Sequence, residues 1–155
     1  MTKDVLITFS SIQVNIDGAE TDKTEIAAGD ADMESYIVES VMQGLYYKKN
    51  EKHYLLYDEV MEGFREPVKT KVIFEENSLE IVRSGPVNVR MFFEENKINM
   101  TSYKTPYGNI PLGINTKKIS VSDDIDIIIV GVEYTLESEN GSLSGCSITI
   151  KIRSR

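Results

Sequence analysis

The chain holds one histidine and one cysteine, and that scarcity limits the chemistry open to it. A Ser-His-Asp or Cys-His arrangement would have to use His53 or Cys146 itself. His53 lies in NEKHYLLY beside a lysine-rich turn, a context that reads as a surface strand rather than a general base. Cys146 follows the apolar phase of the last strand, as a buried inert thiol does. No phosphate loop, zinc spacing or His-Glu-x-x-His element occurs. GDADMES places Asp30, Asp32 and Glu34 like the start of a calcium loop, but Ser35 stands where its glycine belongs and Val41 where its closing glutamate belongs. The pairs Glu75-Glu76 and Glu94-Glu95 flank turns and read as solvated tips. On this reading no cofactor, metal ligand set or catalytic group is identified, and an enzyme without a recognisable motif is the least supported class.

The residues that remain are candidates either for packing or for ligand binding. Along Leu79, Ile81 and Arg83 the arginine takes the inward phase of its strand. A guanidinium cannot be buried alone, so Arg83 must meet a carboxylate, turn carbonyls, water or an acidic ligand head. Thr116 shares the even phase of Ile110, Leu112 and Ile114, which points it inward to satisfy backbone or meet ligand. Tyr103 and Thr105 complete the candidate set. Their odd phase opposes Ile98 and Met100, which puts them outside unless a bulge intervenes. Arg90, in phase with Asn88, is expected to face outward.

The elements that must position these residues are strands, because the dominant period is two. Cys146, Ile148, Ile150 and Ile152 alternate with Ser147, Thr149, Lys151 and Arg153. Asn140-Gly141 predicts a tight turn that folds this strand back on the run from about Ile125 to Ser138. Two further hairpins share Glu-Glu-Asn: Val68 to Phe74 with Leu79 to Arg83, and Val87 to Phe93 with Ile98 to Tyr103. Asn77 and Asn96 suit their turns, and another hairpin centres on Asn50. Apolar phase flips at Ser10-Ser11 and near Lys117-Lys118, each a candidate bulge that would help curl a sheet. Pro106 and Gly108 in SYKTPYGNIPLGINT mark a corner between strands. The expectation is an all-β fold: a closed or nearly closed antiparallel barrel of 8–10 strands with little helix, as one domain over residues 1–155. Residues 18–32 stand apart as an acidic loop or insertion, with a short helix near Glu25 to Ala28 as one option.

Composition excludes some partners. A formal charge of −8 argues against nucleic acid, since phosphate neutralisation needs clustered Lys and Arg. No stretch nears the roughly 20 apolar residues that span a bilayer. MTKDVLITF carries Asp4 and strand alternation where a secretion signal needs an apolar core, and a lone cysteine suits a reducing compartment; the expected location is cytoplasmic. From Asp17 to Glu34 seven carboxylates meet one lysine, a solvated acidic loop or a docking surface for a basic partner.

The segment RSGPVNVRMFFEENKINMTSYKTPYGNIPLGINTKKI also resembles the signature region of a bacterial family of unknown function, the YwiB-like proteins. Arg83, Gly85, Tyr103, Thr105, Pro106, Tyr107, Gly108, Leu112, Gly113, Ile114 and Thr116 carry the likeness. VLITFSSIQ near the start and YLLYDE from Tyr54 to Glu59 extend it, and Gly18 to about Val38 departs from it. The resemblance implies a calycin-like barrel, akin to lipocalins and fatty-acid-binding proteins, and no established activity. Together these readings lead to a barrel that binds a small apolar or anionic ligand inside. The alternative is a filled barrel acting as an interaction scaffold, with a homodimer through an edge strand as a further expectation.

Overall fold

A computed structural model describes residues 2–15, 35–60, 63–86, 88–105, 108–139 and 141–155, with the side chains of residues 15, 35, 36 and 103–105 left aside. Three of the sequence readings lie outside these residues: the acidic stretch 18–32 with its short helix, the Pro106-Tyr107 corner, and Asn140.

Period-two polarity makes strands because alternate side chains leave a pleated chain on opposite faces. Ten are formed: β1 (Lys3–Asn15), β2 (Ser35–Lys49), β3 (Lys52–Glu59), β4 (Val68–Phe74), β5 (Ser78–Ser84), β6 (Val89–Glu94), β7 (Ile98–Thr105), β8 (Gly108–Asp123), β9 (Ile127–Ser138) and β10 (Gly141–Ser154). They form one antiparallel sheet in the order β6-β5-β4-β3-β2-β1-β10-β9-β8-β7. No helix occurs among the described residues. The sheet curls until its edge strands approach each other, giving the nearly closed barrel expected.

The closure is made by a turn. At Thr116/Lys118 β8 slips register against β9, the bulge expected near Lys117-Lys118, and inward positions change from even to odd. The β6–β7 turn clamps this irregularity. Asn96 N donates to Thr116 O at 2.9 Å, and Thr116 N donates to Lys97 O at 3.1 Å. Ile119 N donates to the Glu95 carboxylate at 2.9 Å. Asn96 takes a positive φ of 64° here, as its short polar side chain allows. Thr101 Oγ1 then donates to Arg90 O at 3.1 Å across the seam.

This arrangement corrects two readings. The second Glu-Glu-Asn segment does not close a ladder: β6 pairs with β5 and β7 pairs with β8, because the turn spends its polar groups on β8. For the same reason Glu95 is not a solvated tip. The first such segment does close a hairpin, β4 with β5. So does the Asn50 segment, β2 with β3, where Asn50 and Glu51 take φ of 52° and 70°. The bulge expected at Ser10-Ser11 is absent. The ladder from β1 to β10 runs unbroken from Val5 to Asn15. Polarity changes face there while the backbone does not, so Ser11 and Gln13 stay in the inward phase and Ile12 and Val14 are exposed.

The barrel centre is filled. Leu55, Val72, Phe74, Leu79, Phe93, Val130 and Ile150 are all fully buried. Phe93 of β6 meets Tyr134 of β9 edge-on, with ring centroids 4.8 Å apart. Residues that could have lined a lumen occlude it instead, which leaves the two ends. One carries His53. At the other, which carries Arg83, β1, β2 and β7–β10 continue beyond the short strands β3–β6.

Candidate functional site

At the Arg83 end, cross-strand register sets Gly44, Tyr57, Thr70, Arg83 and Val89 in one inward row. Gly44 makes the row possible. A Cβ there would come within 2.6 Å of the Leu56 carbonyl oxygen and 3.2 Å of Tyr57 Cβ, so any larger residue would displace the tyrosine. Arg83 is turned inward as its phase requires, and Glu59, next in line on β3, meets it. Arg83 Nε donates to Glu59 Oε1 at 3.2 Å. Thr70, itself buried, donates its hydroxyl to the same oxygen at 2.9 Å. Each charged side chain keeps 20% of its surface exposed, so the pair lies at the margin of the core and adds no net charge to it.

Two buried hydroxyls are not satisfied, one in this row and one at the β8 bulge. The hydroxyls of Tyr57 and Thr116 are buried and have no hydrogen-bond partner. Burial drives the Tyr57 phenol far above its ordinary value, with Glu59 adding to the shift and Arg83 opposing it. Tyr134, the cross-strand neighbour of Thr116, is raised in the same way, by burial first and then by Cys146, and Arg83 again opposes. Cys146 is half-buried; burial raises its pKa, and hydrogen bonds with Ser144 and Tyr134 moderate the effect. A thiol so held is protonated and a poor nucleophile. Beyond this layer Phe9, Met42 and Leu136 pack against the core while remaining part-exposed. The arrangement offers hydroxyl and guanidinium donors beside an apolar wall. It holds no nucleophile–base pair.

The His53 end has the opposite character. His53 is buried, not on the surface as its lysine neighbours suggest. It stacks face to face on Phe74 at 4.5 Å, and its Nδ1 shares a 2.7 Å hydrogen bond with the Tyr46 hydroxyl. Asp123 Oδ2 lies 4.0 Å from Nε2, which favours the tautomer protonated on Nε2 and accepting from Tyr46. Burial lowers the His53 pKa, Lys48 lowers it further, and Asp123 and Glu51 oppose. Burial together with Asp123 pushes Tyr46 up to about 12. A cleft of about 350 Å³ opens beside this group, bordered by Tyr46, Lys48, Asp123, Asp126 and Ile128. Lys48 already pairs with Asp123 at 3.7 Å. Here the polar groups satisfy one another.

Of the four residues chosen from sequence, the structure sets Arg83 in this inward row and Thr116 apart from it, at the β8 bulge beneath the β6–β7 turn. Tyr103 and Thr105 occupy register positions opposite Ile110 and Gly108; their side chains lie outside the described set. The phase argument for that strand is corrected, because Ile98 and Met100, read as its inner face, are exposed. Arg90 faces outward as expected and pairs with Glu80. Sequence reasoning missed Tyr57, Glu59 and Thr70, although Tyr57 and Glu59 alternate in phase with buried Leu55. Among the described residues no group of three or more His, Cys, Asp or Glu could hold a metal ion. No helix long and apolar enough to cross a membrane occurs among them.

Comparisons with known proteins agree with this architecture. A family model described as a domain of unknown function (DUF1934) matches residues 21–150. The crystal structure of the ywiB protein from Bacillus subtilis superposes with a TM-score of 0.76 at 22% identity, covering 99% of this chain and 93% of that one. At that identity the likeness shows the fold. No curated protein matches the chain.

Proposed function

The chain belongs to the DUF1934 family, a domain of unknown function, and from that premise we propose that it is a non-enzymatic binding protein for a small, partly apolar molecule. The molecule's hydrogen-bond-accepting head sits at the Arg83 end. The observation that carries the reading is the pair of buried, unpartnered hydroxyls on Tyr57 and Thr116. A hydroxyl removed from water without a partner costs about 1–3 kcal/mol, so a fold that keeps two of them is stabilised when an acceptor reaches them. Arg83 supports the same polarity: its Nε is engaged by Glu59, and a guanidinium carries further N–H donors on its terminal nitrogens. Because Glu59 balances the charge, a carbonyl or carboxylate head suits the layer better than a multiply charged anion. Phe9, Met42 and Leu136 supply the wall for the apolar part.

The test is native mass spectrometry of protein purified without detergent. An adduct of small-molecule mass on the wild type, lost in Arg83→Ala and in Thr116→Val while both variants stay folded, supports the reading. Bare protein in every sample, even after exposure to fatty acids and small aromatic acids, refutes it. A filled barrel serving as scaffold is the second reading, favoured by the Phe93–Tyr134 contact that closes the centre.

A further inference from the structure

A line of inward polar side chains crosses β1, β10 and β9. Gln13 of β1 donates through Nε2 to the buried Ser144 hydroxyl of β10 at 3.2 Å. The Cys146 thiol lies 3.9 Å from the same hydroxyl and shares a further hydrogen bond with Tyr134 of β9. Register carries the line on to β8, where Thr116 stands opposite Tyr134 and Ile114 opposite Leu136. It reaches β7 at Asn99, opposite Ile114. There the bonding stops. Asn99 Nδ2 and Thr116 Oγ1 are both buried, and neither has a hydrogen-bond partner. Thr116 is wholly shielded from solvent. Asn99 shares the inner face, because Ile98 and Met100 on either side of it are exposed.

Thr116 lies two residues beyond the partner of Asn99, so the two are diagonal neighbours on one wall, about 7–8 Å apart. They do not bond to each other, and that spacing suits one oxygen atom between them, accepting from both. The chemistry of that oxygen follows from its surroundings. The amide nitrogen of Asn99 only donates, and the Thr116 hydroxyl donates as readily as it accepts, so the occupant is an acceptor. Ile114 and Leu136 flank the gap on one side and the Tyr134 phenol on the other. None of these inward residues is charged. A carboxylate here would be a buried charge without a counter-ion, whereas the oxygen of a ketone, ester or amide would not.

We propose that Asn99 and Thr116 form a subsite for a neutral carbonyl oxygen of the bound molecule. This rests on the binding proposed for the barrel interior. It adds Asn99 and fixes the class of group that Thr116 meets, leaving a charged head to the Arg83 row. Two matched probes, acetophenone and benzoate, are titrated by calorimetry into the full chain stripped of small molecules. Acetophenone is expected to bind. Asn99→Leu and Thr116→Val should each weaken it about tenfold, the loss of one hydrogen bond, and Arg83→Ala should leave it unchanged. Benzoate should show the opposite pattern, weakened by Arg83→Ala and indifferent to Asn99→Leu. The infrared carbonyl stretch of acetophenone should lie lower on the wild type than on either subsite variant, a signature that a structural role for Asn99 would not produce. Both variants should melt no lower than wild type, because neither group has a partner to lose. Benzoate bound while acetophenone is not, or acetophenone bound equally by wild type and Asn99→Leu, overturns the subsite and leaves the Arg83 head standing; a water molecule then answers Asn99 and Thr116. Acetophenone bound in the expected pattern without benzoate supports the subsite and removes that head. Binding of neither probe overturns both.

Discussion

The two ends of the barrel carry inward polar residues of similar kinds and treat them differently. At one end Tyr46, His53 and Asp123 engage one another, with Phe74 stacked on the imidazole. At the other, Arg83, Glu59 and Thr70 form a bonded group, yet the Tyr57 hydroxyl beside them is buried without a partner, as is that of Thr116 at the β8 bulge. The first end is complete in itself, and its polar groups act as structure. The second is incomplete, and the proposed binding rests on that incompleteness. Burial alone does not separate the two, since His53 and Thr116 are both shielded from solvent. What separates them is whether each donor and acceptor has been answered.

The largest break in this comparison is expected from Phe74→Ala. It removes a fully buried ring and the surface on which His53 lies, and chemical denaturation should register a loss of about 3–5 kcal/mol. Glu95→Ala comes next. It frees the Ile119 amide at the bulge that sets Thr116 in place, and the same measurement should show a loss of about 1–3 kcal/mol.

A pH effect is expected to be smaller and confined to the His53 end. The folded-state pKa of His53 lies below its ordinary value of 6.5. In that window the unfolded chain binds more protons, so the contribution is whole above 6.5 and is lost as pH falls through the folded-state value. Compared with wild type, His53→Gln should melt with a flatter pH dependence below 6.5. An identical slope would mean that the histidine is not held neutral. Smallest of all is Thr116→Val, which removes a hydroxyl that bonds to nothing. Stability should hold or rise, by no more than about 1 kcal/mol, whereas ligand retention should fall.

Much of this organisation could be read from the residues. Alternation along Cys146–Ile152 placed β10, and the phase change near Lys117-Lys118 marked a true bulge. The inward phase of Arg83 and Thr116 followed from their apolar neighbours. What escaped was decided at a distance. The segments EENSL and EENKI look alike, but only the first closes a ladder, because the second meets the β8 bulge, which lies some twenty residues further along the chain. Ser10-Ser11 imitated a bulge because the apolar residues change face there while the ladder to β10 runs on unbroken. His53 was hidden by its lysine neighbours, although its phase matched Leu55 and Tyr57. Period reports which residues share a face, and only the closed sheet reports which face is inside.

The most direct measurement is a paired unfolding experiment on two conservative variants, Tyr46→Phe and Tyr57→Phe, in protein stripped of small molecules. Tyr46→Phe strands a buried imidazole nitrogen and is expected to lose about 1–3 kcal/mol. Tyr57→Phe removes a hydroxyl that has no partner, and is expected to match or exceed wild-type stability. Equal losses in both variants would mean that the Tyr57 hydroxyl is answered within the fold, and the contrast between the ends would fail.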